Sequence, residues 1–233
     1  MPPLRPMLKG VGFFMLVRQR GFLFGGIMAN TYFCKELNKE LPSVTTILNI
    51  IAKGEGFNNW LKKQGANADK ILTDAGDFGT NIHNLLEAIG KGIIIDTSLF
   101  KPKQKRCVEA FLSWKNKNVR RFICTEQPVY NVQEEYAGTL DGVVELNDGR
   151  NMVLDYKTSS YIYDTHELQA VAYLKAYELT TGLKLEGAYI LRFEKNDDKE
   201  QDMQEREVKN IDYQYEVFLA TLKLWKWKNK KGG

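Results

Sequence analysis

Two charged side chains end an apolar segment of this 233-residue chain, where a buried strand would normally carry valine or isoleucine. Asp155 and Lys157 alternate there with Leu154 and Tyr156. Because successive side chains on a strand point to opposite faces, Asp155 and Lys157 are predicted to share one face. A second carboxylate, Asp141, precedes them across a predicted hairpin turn. Paired carboxylates at this point are what a hard divalent cation requires.

Two carboxylates and a cation do not by themselves provide a positively charged side chain for phosphodiester hydrolysis, and Lys157 supplies one. Its ammonium group can position or deprotonate the attacking water and balance the negative charge that develops on the phosphoryl oxygens. The plainer interpretation is a surface ion pair between Asp155 and Lys157, because a D-x-K triplet occurs by chance in many proteins. The side chains elsewhere in the chain favour the catalytic interpretation.

Polar residues with helical spacing accompany the two acids. His83 follows Gly79 and Thr80 on a predicted helix, and Glu87 lies one turn later on the same face, where it is expected to orient His83 or a bound water. Gln169 and Tyr173 share a face of another predicted helix. A lone histidine on a helix is more often a packed or exposed side chain than a ligand.

In order, these motifs are G-T-x-x-H, G-T-x-D, D-x-K and Q-x-x-x-Y, and the combination resembles the RecB-type branch of the PD-(D/E)xK nucleases. The similarity is closest to the mitochondrial genome maintenance exonucleases and their phage relatives, through Pro42–Thr45, Trp60 and Asp155–Ser159. It covers about residues 41–182. Each motif is weak alone, whereas the four together are specific.

The resemblance implies a role for each matching residue. Asp141 and Asp155 would be the metal carboxylates, Lys157 the catalytic lysine, and His83 with the Tyr156 carbonyl further ligands of Mg²⁺ or Mn²⁺. The motif residues Gln169 and Tyr173 would border the site and help to hold the active-site residues and the DNA.

The chain departs from the family pattern in two places. Leu140 stands where the family name has a proline, which leaves the following ligand in place. The cysteines number only three, Cys34, Cys107 and Cys124, so the four that hold an iron–sulfur cluster in some relatives are missing. We expect free thiols and no iron–sulfur cluster.

Charge gives a local indication of nucleic acid but no global one. The net charge of +4 resides in four basic residues before Met28, and without them 29 Lys and Arg balance 29 Asp and Glu. Thr158 and Ser159 follow the catalytic lysine, where a hydroxyl can contact a phosphate or simply end the strand. Three side chains from a basic helical segment are predicted to contact DNA, with a solvated helix face as the alternative: Lys103, Lys105 and Arg106.

Glutamates on the neighbouring predicted strands are candidates for an additional ligand. Glu126 precedes the Asp141 strand, and Glu145 lies on that strand itself. By alternation Glu145 shares the face of Asp141, which makes it the better candidate of the two. Either is also explained as a charge on an edge strand. His166, at the start of the Gln169 helix, is interpreted as a capping or surface residue.

One α/β domain must position these residues, with a mixed sheet flanked by helices in the manner of restriction endonucleases and a helical N-terminal region. Residues 28–233 form this domain, with a helical part at 41–118 and the catalytic sheet and helices at 119–233, whereas residues 1–27 are a basic apolar extension that need not belong to the fold. Helices are predicted from about 42 and over 57–73, 77–90, 102–117, 165–180 and 211–227, and strands over 121–132, 135–145, 151–158 and 185–193.

The predicted protein is therefore a metal-dependent DNA exonuclease that acts on single-stranded or frayed ends, in replication, repair or recombination. The alternatives are a structure-specific endonuclease of the same fold and an inactive nucleic-acid-binding protein. No membrane association is expected, since Arg18 and Arg20 interrupt the apolar extension well short of a bilayer span. A phage-infected or bacterial cytoplasm is favoured, and a mitochondrial relative would carry the same motifs.

Overall fold

A computed structural model describes residues 18–20, 30–51, 54–195 and 202–230. Its centre is a five-stranded sheet in the order β4-β5-β6-β7-β8, in which only β6 and β7 run parallel. This mixed sheet confirms the predicted fold class. The strands are β4 (Val119–Asn131), β5 (Tyr136–Leu146), β6 (Asn151–Lys157), β7 (Gly187–Phe193) and β8 (Met203–Glu207).

Helices cover both faces of the central sheet because each face of each strand carries apolar side chains. On one face, Val143, Val153 and Ile190 pack against the first, fifth and sixth helices, and on the other, Leu154 and Leu191 pack against the third and fourth. The helices are α1 (Val44–Leu48), α2 (Gly54–Gln64), α3 (Ala68–Gly90), α4 (Pro102–Asn118), α5 (Asp164–Thr181) and α6 (Ile211–Asn229).

A second, three-stranded antiparallel sheet precedes α1. It consists of β1 (Arg18–Arg20), β2 (Asn30–Cys34) and β3 (Lys39–Pro42). Its tyrosine Tyr32 is buried, and the Tyr32 hydroxyl lies 3.1 Å from Oγ1 of Thr139 on β5. The small sheet therefore contacts the strand that carries Asp141. It also includes three residues of the basic extension; the rest of residues 1–27 lies outside the described residues.

Three elements differ from the sequence-based expectation. Helix α3 runs without interruption from Ala68 to Gly90, where a break between 73 and 77 was expected; the chain instead turns at Gly65–Asn67. The hairpin of β2 and β3 was not predicted, nor was the edge strand β8. Strand β8 was not predicted because its charged sequence, MQERE, lacks the apolar alternation that indicates a strand.

Among the described residues, no helix is both long enough and apolar enough to span a membrane. The thiols of Cys34, Cys107 and Cys124 are free. Each lies in or against a different apolar cluster, so they are not gathered at one place.

Candidate metal centre

Asp155 and Lys157 lie together at the carboxyl end of β6, as the alternation along a strand predicts. The Asp155 side chain is 1% exposed, and Nζ of Lys157 lies 2.5 Å from its Oδ2. Leu154 and Tyr156 point to the opposite face, into the cluster formed with α3 and α4. The strand thus buries its apolar face and presents an ion pair on the other.

Asp141 is held beside this pair by two donors. The backbone N–H of Tyr156 donates to Oδ2 of Asp141 at 2.6 Å, and Nδ1 of His83 lies 3.0 Å from Oδ1. Because a carboxylate only accepts, the His83 Nδ1 carries the hydrogen, and in the neutral imidazole Nε2 then has a lone pair for a metal ion. The structure therefore brings Asp141, Asp155, His83 and Lys157 together from three separate motifs.

The electrostatics of the two aspartates differ. Burial raises the pKa of Asp141, but the charge and hydrogen bond of His83, together with Lys157 and the Tyr156 N–H, hold it below its ordinary value. Burial raises the pKa of Asp155 to about 6, Lys157 opposes this, and the like charge of Asp141 adds to it. Burial lowers the pKa of His83, but Asp141 reverses the effect and the pKa lies above its ordinary value.

Asp155 is the side chain whose bonding is incomplete. In the described part of the chain, Lys157 is the one donor in contact with its two buried oxygens, with Nζ 2.5 Å from Oδ2. A buried carboxylate with so few donors costs several kcal/mol unless another group compensates it. A cation between Asp141 and Asp155 would be that group.

The glycines of the two G-T motifs permit close approach at this centre. A Cβ at Gly79 would lie 2.8 Å from Oγ1 of Thr158, so glycine lets α3 approach the end of β6. A Cβ at Gly138 would lie only 2.4 Å from Cε1 of Tyr173. Glycine is therefore required at both positions, because a Cβ there would approach the neighbouring side chain more closely than real Cβ atoms do.

Helix α5 covers the Asp155 face of the sheet with the Q-x-x-x-Y residues. Nε2 of Gln169 donates to the Tyr173 hydroxyl at 2.9 Å, and Tyr173 is buried. His166, one turn earlier, accepts a hydrogen bond from the backbone N–H of Tyr163 and thus caps the helix, as expected. Burial, with Lys157 and then Arg206 nearby, lowers the pKa of His166 to about 3, so it is neutral.

Some predicted site residues have other partners. The carboxylate of Glu87 binds Lys91 one turn later, so the structure gives it no contact with His83. The Ser159 hydroxyl donates to the Tyr161 carbonyl at 2.6 Å, which explains it as a turn residue. Thr158 lies against Gly79 between β6 and α3.

The predicted basic contacts lie on the first turns of α4. Nε of Arg106 donates to Asp202 at 3.1 Å, and Nζ of Lys105 lies 3.8 Å from Glu109. Lys103 belongs to the same turns. These cations are therefore partly neutralised, and they are weaker evidence for a DNA-binding surface than the sequence indicated.

Of the two candidate glutamates, Glu126 lies at this centre and Glu145 does not. Side-chain atoms of Glu126, His83 and Asp141 lie within 4.8 Å of one another. Glu145 instead accepts from Arg120 at 2.6 Å and Arg121 at 2.7 Å. Alternation along β5 favoured Glu145, but two arginines occupy its carboxylate, whereas the pairing of β4 with β5 places Glu126 opposite Asp141.

A groove with aromatic walls lies beside the Gln169 helix. It has a volume of about 470 Å³ and lies between α1, α2 and the start of α5. Phe57 and Tyr163 supply aromatic rings, and Leu48 and Ile51 supply aliphatic surface. Gln169 and His166 line the groove as well, so it adjoins the helix that covers the Asp155 face.

No protein-family model and no curated protein matches this chain. Among solved structures, it is similar to the one described as "Crystal structure of SSO0001", with a TM-score of 0.39 and 16% identity over 78% of this chain and 84% of that chain. A likeness of this size carries no argument about activity. The function is therefore inferred from the side chains of the site.

Proposed function

We propose that the protein is a divalent-metal-dependent DNA exonuclease that hydrolyses phosphodiester bonds from single-stranded or frayed ends, in replication, repair or recombination. The observation that carries this proposal is the state of Asp155. It is buried, has Lys157 as its one donor among the described residues, and lies beside the like charge of Asp141. A carboxylate in that state is suited to a cation and is poorly explained as a surface ion pair.

The residues present fit a hard cation. Asp141, Asp155 and the Tyr156 carbonyl would supply oxygen ligands, and His83 would supply Nε2. An Mg²⁺ or Mn²⁺ ion held there would act as a Lewis acid towards the phosphoryl group and the leaving 3′ oxygen. The second oxygen of Asp141 is fixed by the Tyr156 N–H, so the ligand set is oriented before any ion binds.

Lys157 supplies the positive charge of the chain itself. The Asp155 contact places its Nζ at the site, and the side chain is only 15% exposed, so few waters screen it. An ammonium group at this position stabilises charge that develops on a phosphoryl oxygen and orients the attacking water. His166 is neutral nearby and does not add a competing proton donor at neutral pH.

The aromatic groove supports a substrate with unpaired bases. Bases stack on aromatic rings without regard to sequence, and only an unpaired base can enter such a groove. Phe57 and Tyr163 are the rings available, and the groove adjoins the helix that carries Gln169 and Tyr173. A free end or a frayed strand presents such bases, whereas a continuous duplex does not.

Purified protein should be incubated with end-labelled linear and with circular single-stranded DNA, in Mg²⁺, in Mn²⁺ and in EDTA. An exonuclease degrades the linear strand in either metal, spares the circle and is inactive in EDTA. Cutting of the circle would replace the proposal with the endonuclease alternative. Tight binding of DNA without cleavage in any metal would replace it with the binding-protein alternative.

A matched pair of lysine variants tests the role of the site. Lys157→Ala should lower the cleavage rate by about 10³-fold and leave DNA binding within a few-fold. Lys184→Ala, at an exposed lysine that lies 3.7 Å from Glu178, is the control and should cleave at the wild-type rate. A Lys157→Ala protein with near-normal cleavage would refute the assignment.

A further inference from the structure

Helix α6 carries apolar side chains on two opposite faces. Its inner face buries Phe218 and Leu222 in the core cluster that includes residues of α1 and α5. On the outer face, Tyr213, Leu224 and Trp227 expose 64%, 49% and 55% of their surface. Single exposed apolar residues are ordinary, but the outer face of a surface helix is normally polar. Three large apolar side chains there indicate that another surface covers this face.

The apolar residues of the outer face have the spacing of a coiled-coil helix. Two further residues belong to the same face: Val217, which is partly buried, and Ala220, which is exposed. The five follow one another at intervals of four, three, four and three residues, and we call them the α6 seam: Tyr213, Val217, Ala220, Leu224 and Trp227. Apolar residues at alternating intervals of four and three let one helix pack lengthwise against another. Ala220, the middle member, is small enough for a second helix to approach closely.

The charges beside the α6 seam are complementary to those of a second copy. Glu216 and Lys223, seven residues apart on one flank of the seam, are exposed and have no ion-pair partner among the described residues. In an antiparallel pair of identical helices, each flank meets the same flank of the other helix. A twofold axis near Ala220 therefore brings Glu216 beside the partner's Lys223, and Lys223 beside the partner's Glu216. A parallel pair would instead bring Lys223 beside the partner's Lys228, and these two charges repel each other.

We propose that two copies of this chain form a dimer in which their α6 seams pack antiparallel about a twofold axis. A face that carries both signs of charge in a self-complementary arrangement fits a second copy, whereas a nucleic acid would select positive charge alone. The seam contains no residue of the metal centre. The dimer therefore joins two complete centres, and its formation does not depend on the proposed activity.

The concentration at which the chain pairs is the first test. One helix face is smaller than the roughly 800 Å² per partner of a standard interface, so dissociation in the micromolar range is expected. Sedimentation equilibrium of the full chain over about 1–200 µM should show the chain mass giving way to twice that mass. Leu224→Asp places a charge in the seam and should remain monomeric throughout. Leu72→Asp, at a comparably exposed leucine of α3, is the matched control and should pair like wild type.

Reversal of the two flanking charges tests the antiparallel arrangement. Glu216→Lys should weaken pairing by at least about tenfold, because two like-charge pairs replace two opposite ones, and Lys223→Glu should do the same. An equimolar mixture of the two variants should pair as tightly as wild type, since every flanking contact between them joins opposite charges. Both positions are exposed, so both variants should keep the circular dichroism spectrum of wild type. Pairing that is unchanged in each variant alone would refute this arrangement.

Other occupants of the α6 seam would give different results. Wild type that stays monomeric at about 200 µM would overturn the proposal. Weaker binding of the Lys223→Glu monomer to single-stranded DNA would then assign the face to nucleic acid. The dimer should form equally in Mn²⁺ and in EDTA. Loss of the exonuclease proposal would therefore leave the dimer intact, and loss of the dimer would leave the exonuclease proposal intact.

Discussion

Two acidic side chains on β5 are equally exposed, but the charges of their neighbours differ. Asp141 and Glu145 each expose 13% of the side chain. Both oxygens of Glu145 accept from guanidinium groups, those of Arg120 and Arg121, and the Arg121 hydrogen bond above all lowers the pKa of Glu145. Asp141 has an imidazole, a neutral backbone N–H and a second buried aspartate beside it.

Exposure therefore does not distinguish a structural carboxylate from a candidate ligand in this protein, whereas local charge balance does. Glu145 meets two permanent cations. In the described part of the chain, Asp141 and Asp155 meet one permanent cation, Lys157, and one titratable histidine, His83. These two aspartates retain negative charge that a divalent cation would neutralise, and Glu145 does not.

The largest expected difference between the two acids is catalytic. Asp141→Asn and Asp155→Asn should each lower the rate of single-strand cleavage by about 10³-fold, because each loses charge that holds the metal centre. Glu145→Gln should cleave within twofold of wild type. Initial rates on end-labelled linear DNA in Mg²⁺ measure this, and an equal loss in all three variants would abolish the distinction.

Cation binding should stabilise the protein through Asp141 and Asp155 and not through Glu145. At a Mg²⁺ or Mn²⁺ concentration about 100 times the Kd, the free energy of unfolding rises by about 2.7 kcal/mol, which corresponds to about 5–10 °C in melting temperature. Glu145→Gln should show the same shift, and Asp155→Asn should show little of it. Differential scanning fluorimetry with and without EDTA provides the comparison; a shift retained in Asp155→Asn would place the ion elsewhere.

The metal-free protein should lose stability as the pH rises through the pKa of Asp155. Folding raises that pKa from 3.8 to about 6, so the folded state holds the proton more tightly. The resulting stabilisation is complete below about pH 4 and is lost by about pH 6, up to about 3 kcal/mol. In EDTA at pH 8, Asp155→Asn should therefore be more stable than wild type, and the difference should vanish near pH 4. Urea melts at both pH values measure it, and a difference independent of pH would contradict the raised pKa.

The smallest effect on stability is expected from removal of the buried Tyr156 hydroxyl. Tyr156→Phe removes a buried oxygen that has no partner among the described residues, so the metal-free variant should be more stable by about 1 kcal/mol. Tyr213→Phe, on an exposed tyrosine of α6, is the control and should change stability little. Chemical denaturation in EDTA compares the two, and destabilisation by Tyr156→Phe would mean that the hydroxyl is satisfied.

The motifs predicted much of the site because they are local in sequence. Alternation along β6 correctly paired Asp155 with Lys157, and helical spacing correctly paired Gln169 with Tyr173. The contact of His83 with Asp141 was expected only through the family resemblance, since 58 residues separate them. The roles of Gly79 and Gly138 became visible only when Thr158 and Tyr173 were seen to occupy the space that a Cβ would fill.

Other features depended on tertiary structure that local patterns do not encode. Helix α3 continues through Gly76, although an interior glycine costs about 1 kcal/mol, because its later residues Ile82 and Leu86 are fully buried against the sheet. Strand β8 pairs along β7 despite its charged sequence. Glu126 was ranked below Glu145 because alternation compares residues of one strand only, whereas the pairing of β4 with β5 that places Glu126 opposite Asp141 is a tertiary feature.

Because the three thiols lie in different parts of the fold, the reactivity of each one reports on local opening of its own surroundings. Burial raises the pKa of Cys107 to about 11 and that of Cys124 above its ordinary value, so both thiols stay protonated and unreactive while their surroundings are closed. Each lies in a different apolar cluster, one on either face of the central sheet. The alkylation rate of each thiol thus measures how often the apolar cluster around it opens. The change in each rate on adding a cation would show which of the two clusters the metal centre stabilises.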